Sequence, residues 1–423
     1  MKRGIRCRTL GGVIRTPSEP RPDWRARCDE VGFTFYDLPS EGGRPYWNER
    51  YAYGFTPEEV DALEAATAEL FARCMDAVEH IVRRRRYAEF GIPTALHDLV
   101  GRSWDEDDPT VYGRFDLAYD GGAAVGGTGT ISLLEFNADT PTSLVETAAA
   151  QWQWLRETRG EASDQFNLLH ELLVEQWMHL REARWGVAPG SRLHLASLHD
   201  DGDGQLIVED ADTVAYMAET ARQAGFEPKQ IFVEDLRYDL DLRRFLDADG
   251  EHVERIFKLY PWEWMAREQF AAFLEPTRHT TAWVEPIWKL LLSNKQLLVV
   301  LWELFPGHPN LLPAFESAAP FQLGGAQHGR QYVRKPRLGR EGANVTLFDA
   351  RGGVIADQPG PYDDDGFVYQ ERARLARIDE RTAVIGSWIV GETPAGIDVR
   401  ETGGPITGDL AEFVPHYIVE EQR

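Results

Sequence analysis

Cysteine is nearly absent, with only Cys7, Cys28 and Cys74 in 423 residues. None stands in a Cys-x-x-Cys arrangement, so the sequence supports neither a disulfide framework nor a zinc centre, and a reducing cytoplasm is the expected compartment. Long apolar runs are missing as well. The basic start MKRGIRCRTLGGVIRTPSEPRPDW has no signal-peptide core and no stretch reaches span length, so a soluble protein with no membrane partner is expected. Positive charge is in deficit: 45 Lys and Arg face 69 Asp and Glu, a net charge of −24. Such a surface repels nucleic-acid phosphates and leaves room for a cationic partner.

Lysine is the least expected shortage. Only Lys2, Lys229, Lys258, Lys289, Lys295 and Lys335 occur, and arginine fills nearly every other basic position. A lysine kept in that background marks a place where a compact ammonium is needed and a guanidinium fork would not fit.

What is present suits a large folded enzyme, with 43% hydrophobic residues and 13 Trp. The reading is one catalytic unit in three stretches: an N-terminal arm and helical region at 1–110, a hairpin and small α/β lobe at 111–250, and a nucleotide-binding region at 251–423. The first fifty residues, rich in Pro and Arg, read as an irregular arm packed on the body through Trp24, Phe33, Phe35, Tyr36 and Trp47. From Thr56, a cap residue, Pro at the first helical position and apolar residues at helical spacing predict a long amphipathic helix with a solvated basic end, Arg83 to Arg86. Two Trp-rich helices are expected after residue 143, their aromatics in the core. RLHLASLHD, the acidic loop Asp200 to Asp203, QLIVEDADTVAYMAETARQAGF and QIFVEDLRYD then alternate as strand, loop, helix and strand, a small α/β lobe. The helical, apolar stretch 281–315 reads as buried.

Two segments carry chemistry. VYGRFDLAYDGGAAVGGTGTISLLEFNADTPTSLVE, from Val111, reads as strand, Gly-rich turn and strand. Period-2 alternation puts Arg114 beside Asp116 and Glu135 beside Asn137. If the strands pair, Asp116, Glu135 and Asn137 offer three oxygens to a hard cation such as Mg2+, with Arg114 as an anion clamp; a solvated hairpin face gives the same spacing. QYVRKPRLGREGAN, from Gln331, couples Lys335-Pro336 to Gly339-Arg340-Glu341-Gly342, where backbone N–H groups can cradle phosphate. It matches neither the P-loop nor the Rossmann fingerprint, and an Arg/Gly-rich hairpin turn looks similar.

Together, the RFD and EFNAD segments, the SNK lysine and KP-x-x-GR-x-G resemble the glutathionylspermidine synthase family, ATP-grasp ligases that join a peptide carboxylate to an amine. The resemblance runs from about the first helix to the C-terminus. It implies an α/β (α+β), ATP-grasp-like fold with mixed and antiparallel sheets and an additional small α/β lobe. It also implies ATP and Mg2+ as cofactors, and a small-molecule or short-peptide carboxylate and a cationic amine as partners. By resemblance Asp116, Glu135 and Asn137 hold magnesium, Arg114 and Thr140 contact the peptide, and Glu209 with Asp210 hold the polyamine. Lys295 and Lys335 are the ATP lysines, Glu341 and Gly342 belong to the flap, and Gln370, Glu371, Arg372 and Ala373 match the adenine edge. Pro405, Ile406 and Thr407 match a further ATP segment, and Arg400 matches the arginine that stabilises the transition state. From the residues alone, Asp210 or Asp212 reads equally well as a helix cap, and His416 as structural. Two departures stand out: there is no room for the amidase domain of bifunctional members, and Leu259 or Trp264 stands where their peptide site has a threonine. An ATP-grasp ligase for another acid and amine, or a nucleotide-binding protein without ligation, remains open.

Overall fold

The computed structural model describes residues 13–38, 42–121, 129–200, 206–362, 366–408 and 410–419. Most of the Gly-rich turn and of the acidic loop at 200–203 therefore falls outside the described residues. A mainly antiparallel sheet lies at the centre, in the order Glu412–Phe413, Thr393–Thr402, Arg381–Val390, Tyr112–Tyr119, Ile131–Asn137, with Arg377–Ile378 added at one side. The hairpin read from the sequence thus pairs as expected, but its first strand also pairs with residues nearly three hundred positions later. The late hairpin turns at Gly391 and Glu392 alone, tighter than a turn reaching Gly396, which instead lies in the second strand.

The helix Pro57–Arg84 packs on this sheet. Its start is a capping box: the Glu59 N–H donates to Thr56 Oγ1 and the Thr56 N–H to Glu59 Oε2, satisfying donors that a helix start leaves without partners. Leu63, Leu70, Cys74, Val78 and Ile81 form its buried stripe, and Thr67 meets Ser387 of the sheet at 2.6 Å between hydroxyl oxygens. Arg83, Arg85 and Arg86 at its far end are held by surface carboxylates.

The small lobe is a parallel sheet in the order Ala282–Val284, Arg255–Leu259, Arg192–Ser197, Glu227–Phe232. The helix Val208–Gln223 crosses between its last two strands, the strand–helix–strand unit that the alternation predicted. A third, antiparallel sheet joins Ala314–Phe315, Phe367–Glu371, Tyr332–Pro336, Val345–Phe348 and Val354–Gln358. Two of these sheets thus take strands from more than one of the three stretches.

The first fifty residues are more ordered than the irregular arm expected from composition. Ile14–Pro17 pairs with Tyr51–Phe55, which pairs in parallel with His416–Ile418, and Trp24–Glu30 is a helix. The named aromatics do pack together, around Cys28, Phe33 and Trp47. Arg15 forks onto the fully buried Glu401 with two 2.7 Å hydrogen bonds, and the Tyr53 hydroxyl donates to the same carboxylate. Of the Trp residues on the two helices, Trp154 and Trp177 are buried while Trp152 is exposed, a correction to the core assignment.

Glu285 fixes where the central strands begin. Its carboxylate accepts the N–H groups of Val111 and Tyr112 and lies 2.5 Å from the Lys289 ammonium, with both side chains buried. Removing one partner of a buried ion pair strands the other charge away from water. Lys289→Met is expected to cost about 3–5 kcal/mol in urea unfolding, and pairing it with Glu285→Gln to recover part of that loss, because the double variant leaves no uncompensated carboxylate.

Candidate active site

Register builds the floor of the site. Asp116 faces Glu135 and Arg114 faces Asn137 across the hairpin; on the other side Gly386 faces Asp116, and Asp398 faces Gly386. Paired residues share a face, so Glu135, Asp116, Gly386 and Asp398 form one row over four strands, with Arg400 in the next row. An irregularity beside Asp116 leaves Leu134 out of the one-to-one pairing, and its carbonyl accepts the Lys335 ammonium at 3.0 Å. Arg114 Nε donates to Asp116 Oδ1 at 2.9 Å and Arg400 Nη2 lies 2.7 Å from Oδ2. Burial alone would raise the Asp116 carboxyl, but the two guanidiniums overcome it and hold the group well below the usual carboxylate range.

The lysines enter from two other elements. Lys295 sits at the break between the helices Leu290–Ser293 and Gln296–Leu304, with its ammonium 2.8 Å from Glu135 Oε2 and 2.7 Å from Gly339 O. Lys335 donates to Gln370 Oε1 at 2.8 Å, and Gln370 is fixed in turn by donating to Leu133 O. With no carboxylate in contact, Lys335 is pulled down to about 8 by burial, Glu135 opposing and Lys295 adding to the shift.

Glycine shapes the wall. Gly342 has φ +69°, and a Cβ there would lie 2.4 Å from Thr407 O, so the Gly-rich turn rests directly on the Pro405–Thr407 segment. Arg340 reaches across the opening to Thr140 Oγ1 at 3.1 Å and to Glu263 at 3.4 Å. Along the Gln370–Ala373 stretch the N–H groups of Glu371 and Arg372 are taken up by Pro313 O and Gln331 O.

These elements enclose a cavity of about 560 Å³, within the range of small-molecule sites. Every site residue read from the sequence lines it except Glu209 and Asp210. Its wall carries seven basic and six acidic side chains, so a chain of net charge −24 presents a slight basic excess here, which favours an anion. Asp116, Glu135 and Asn137 supply only oxygen and amide donors, with no thiolate or imidazole among them, which fits a hard divalent cation. Arg400, Arg114 and Lys295 now occupy the two carboxylates, so a cation has to displace them or arrive with anionic oxygens that draw them away.

Glu209 and Asp210 sit beyond the lining, in the first turn of Val208–Gln223. The capping alternative fails: Ile207 is the cap residue and makes no side-chain cap hydrogen bond, and Asp212 instead accepts the N–H groups of Thr34 and Phe35. Burial, with Asp210 and Glu341 adding, pushes the Glu209 carboxyl to about 7; burial against Arg340 brings Asp210 to about 6. Behind them Glu146 is 2% exposed and raised to about 8, first by burial and then by Glu209. Sequence reading passed over Glu146, Arg340 and Asp398. Asp398 had a legible signal, since it stands two residues from Arg400 as Arg114 does from Asp116. His416 is structural as read: buried, bonded to Gln151, and held neutral by burial.

Residues 15–419 match the family profile described as glutathionylspermidine synthase preATP-grasp. A Haemophilus influenzae protein, whose name gives acid–amine ligase as a provisional assignment, is 38% identical over 405 residues, 94% of this chain and 98% of that one. The trypanothione synthetase of Crithidia fasciculata is 27% identical over 79% of this chain and 51% of its own length. The bifunctional glutathionylspermidine synthetase/amidase of Escherichia coli is 23% identical over 87% and 59%. The match thus spans about half to three-fifths of these two longer enzymes. Among solved structures, a glutathione synthetase-like effector from Globodera pallida superposes with a TM-score of 0.53 over 87% of this chain and 89% of that one, at 12% identity, a likeness of fold. The architecture is the ATP-grasp-like α/β arrangement expected from the sequence.

The depressed Lys335 makes anion binding depend on pH. Its ammonium is present below about pH 8 and lost above it, so affinity for ATP is expected to weaken between about pH 7 and pH 9, with proton uptake on binding at the upper end. Calorimetry in two buffers of different ionisation enthalpy measures both, and Lys335→Met should bind weakly throughout with a flattened profile.

Proposed function

The chain belongs to the glutathionylspermidine synthase family, and from that membership we propose that it is an ATP-dependent, ADP-forming carboxylate–amine ligase. One observation carries the reading: Asp116, Glu135 and Asn137, two buried lysines and Arg400 converge on a single cavity closed by a Gly-rich turn. A carboxylate oxygen of the acid would attack the γ-phosphorus of ATP, releasing ADP and forming an acyl phosphate. The amine nitrogen then attacks the carbonyl carbon, the C–O bond to phosphate breaks, and the amide forms as the amine sheds its proton. Catalysis of phosphoryl transfer is chiefly positioning and charge stabilisation, which suits a site rich in fixed cations and lacking any need for a covalent nucleophile.

The roles follow from placement. A divalent cation held by Asp116, Glu135 and Asn137 would neutralise charge on the phosphates. Lys295 and Lys335 would bind phosphate oxygens, and the Glu341–Gly342 turn would cover them. The Gln370–Ala373 and Pro405–Thr407 segments would flank the nucleotide. Arg114 and Thr140 would orient the acid, and Arg400 would meet charge that develops during transfer. The amine fits Glu209 and Asp210, a carboxylate pair at the margin of the cavity. Leu259 is buried and Trp264 partly exposed where relatives are expected to have a threonine, so the acid need not be glutathione. We expect a reducing, cytoplasmic setting.

ADP release across a matrix of acids and amines, with glutathione and spermidine as one cell, tests the reading. Release in another cell alone removes those substrates and keeps the chemistry, whereas release in none removes the chemistry. Within an active cell, Arg400→Ala should slow single-turnover ADP formation by about 100- to 1,000-fold with ATP affinity little changed, and lysine should not fully rescue it.

A second outcome concerns pH. Glu209 and Asp210 are neutral below their raised pKa values and anionic above them, so the KM for a cationic amine should fall as pH rises from about 5.5 to 7.5. The pair Glu209→Gln and Asp210→Asn should raise that KM and abolish the trend while leaving the KM for ATP alone.

A further inference from the structure

Asp398 is a carboxylate with 0% exposure whose ordinary hydrogen bonding is incomplete. Trp388 Nε1 donates to its Oδ2 at 2.8 Å, while Oδ1 has no aligned hydrogen bond. Its place exists because residue 386 is glycine: a Cβ there would lie 2.1 Å from Asp398 Oδ2. A single neutral donor does not compensate a buried carboxylate, which requires a cation. The cation at hand is Arg400, two residues along the same strand face, with Nε 3.5 Å from Asp398 Oδ1.

Arg400 is divided between two carboxylates. Its Nη2 is 2.7 Å from Asp116 Oδ2, yet neither Nη2 nor Nε makes an aligned hydrogen bond among the described residues. The guanidinium thus contacts both carboxylates that flank Gly386 in the row, and the Asp398 carboxylate itself fills the space beside that glycine. If Arg400 served Asp116 alone, an uncharged residue at 398 would avoid a costly buried charge.

We infer that Asp398 is a positioning residue that takes over the Arg400 guanidinium when Asp116 turns to a divalent cation. In the free chain Arg400 neutralises Asp116; once a cation claims that carboxylate, Arg400 keeps a charge partner in Asp398. Its remaining donors then stay aimed into the cavity, and the exchange requires only a small rotation of a side chain already between the two. The cation need not expel an arginine into an uncompensated position, and the arginine need not search for its working orientation. The inference rests on the ligase reading for its rate measurement only, because cation binding reads the same exchange without turnover.

Asp398→Asn tests this, since asparagine keeps an acceptor for Trp388 Nε1 and nearly the same volume while removing the charge. Arg400 would then hold Asp116 more firmly, so the affinity for Mn2+, titrated directly on the full chain, should weaken by about 10- to 100-fold. Single-turnover ADP formation should slow by a similar factor with the KM for ATP little changed. In an Arg400→Ala background both effects of Asp398→Asn should vanish, because the group through which it acts is gone. Trp388→Phe, which keeps an aromatic side chain but loses the N–H donor and part of the indole's buried volume, should show the same coupling at smaller size and carries the cycle if Asp398→Asn fails to fold. Equal losses with and without Arg400, or no change in Mn2+ affinity, would overturn the inference in favour of a local structural role. A wild-type chain that binds no Mn2+ would overturn it too. A chain that binds Mn2+ and shows the 398–400 coupling, but makes no ADP with any acid and amine, removes the ligase reading and supports this one.

Discussion

Asp116 and Glu135 stand directly opposite each other on neighbouring antiparallel strands, where side chains begin about 5 Å apart and like charges repel. Holding that pair on one sheet face, Asp116 buried and Glu135 half-buried, calls for cations, and the chain brings them from separate elements. Arg114 comes from the same strand, Lys295 from a break between two helices, and Arg400 from a strand close to the end of the chain. Lys335 arrives through the third sheet. The central sheet, the third sheet and the helical break at Lys295 come together at the point where these charges meet. The repulsion that makes the hairpin costly alone is thus offset by cations drawn from elements far apart in the chain.

The lysines show the same selection for compact charge. Among the five described, Lys229, Lys258, Lys289 and Lys295 each lie within 2.8 Å of a carboxylate oxygen. Lys258 is fully buried against Asp139, which also accepts the Trp262 N–H and so anchors the segment leading to Thr140. A guanidinium carries more donors than such pockets can satisfy. Lys229 contacts Asp247, Asp249 and Glu251, and two of these, Asp247 and Glu251, with His194 would otherwise resemble a metal cluster. Lys335 differs in touching amide and carbonyl oxygens only, which leaves its charge the most dependent on what else enters the cavity.

Local pattern made much of this legible. The Thr56 cap, the strand–helix–strand alternation of the small lobe, the Arg114 and Asp116 spacing and the glycine at 339 all act within a few residues of themselves. What stayed hidden depends on partners distant in sequence. The pairing of residues 14–17 with 51–55 and of those with 416–418 has no local signature, so composition alone suggested an irregular arm. Glu146 looks like any helical glutamate until Glu209 is folded against it. Gly386 reads as a weak point in a strand, and only the cross-strand register shows that it makes room for Asp398.

The sheet joining residues 14–17, 51–55 and 416–418 has a consequence for synthesis. Its last strand leaves the ribosome after everything it must hold, and Glu401 reaches Arg15 across a separation of 386 residues. Contacts so distant form late, after loop closure over most of the chain. A growing polypeptide can complete the small lobe and the long helix early, because their contacts are local. The strand that bears Arg400 remains without its neighbour Glu412–Phe413 until those residues have been made. A chain that has not yet supplied residues 412–418 therefore exposes unpaired strand edges, the kind of surface chaperones cover.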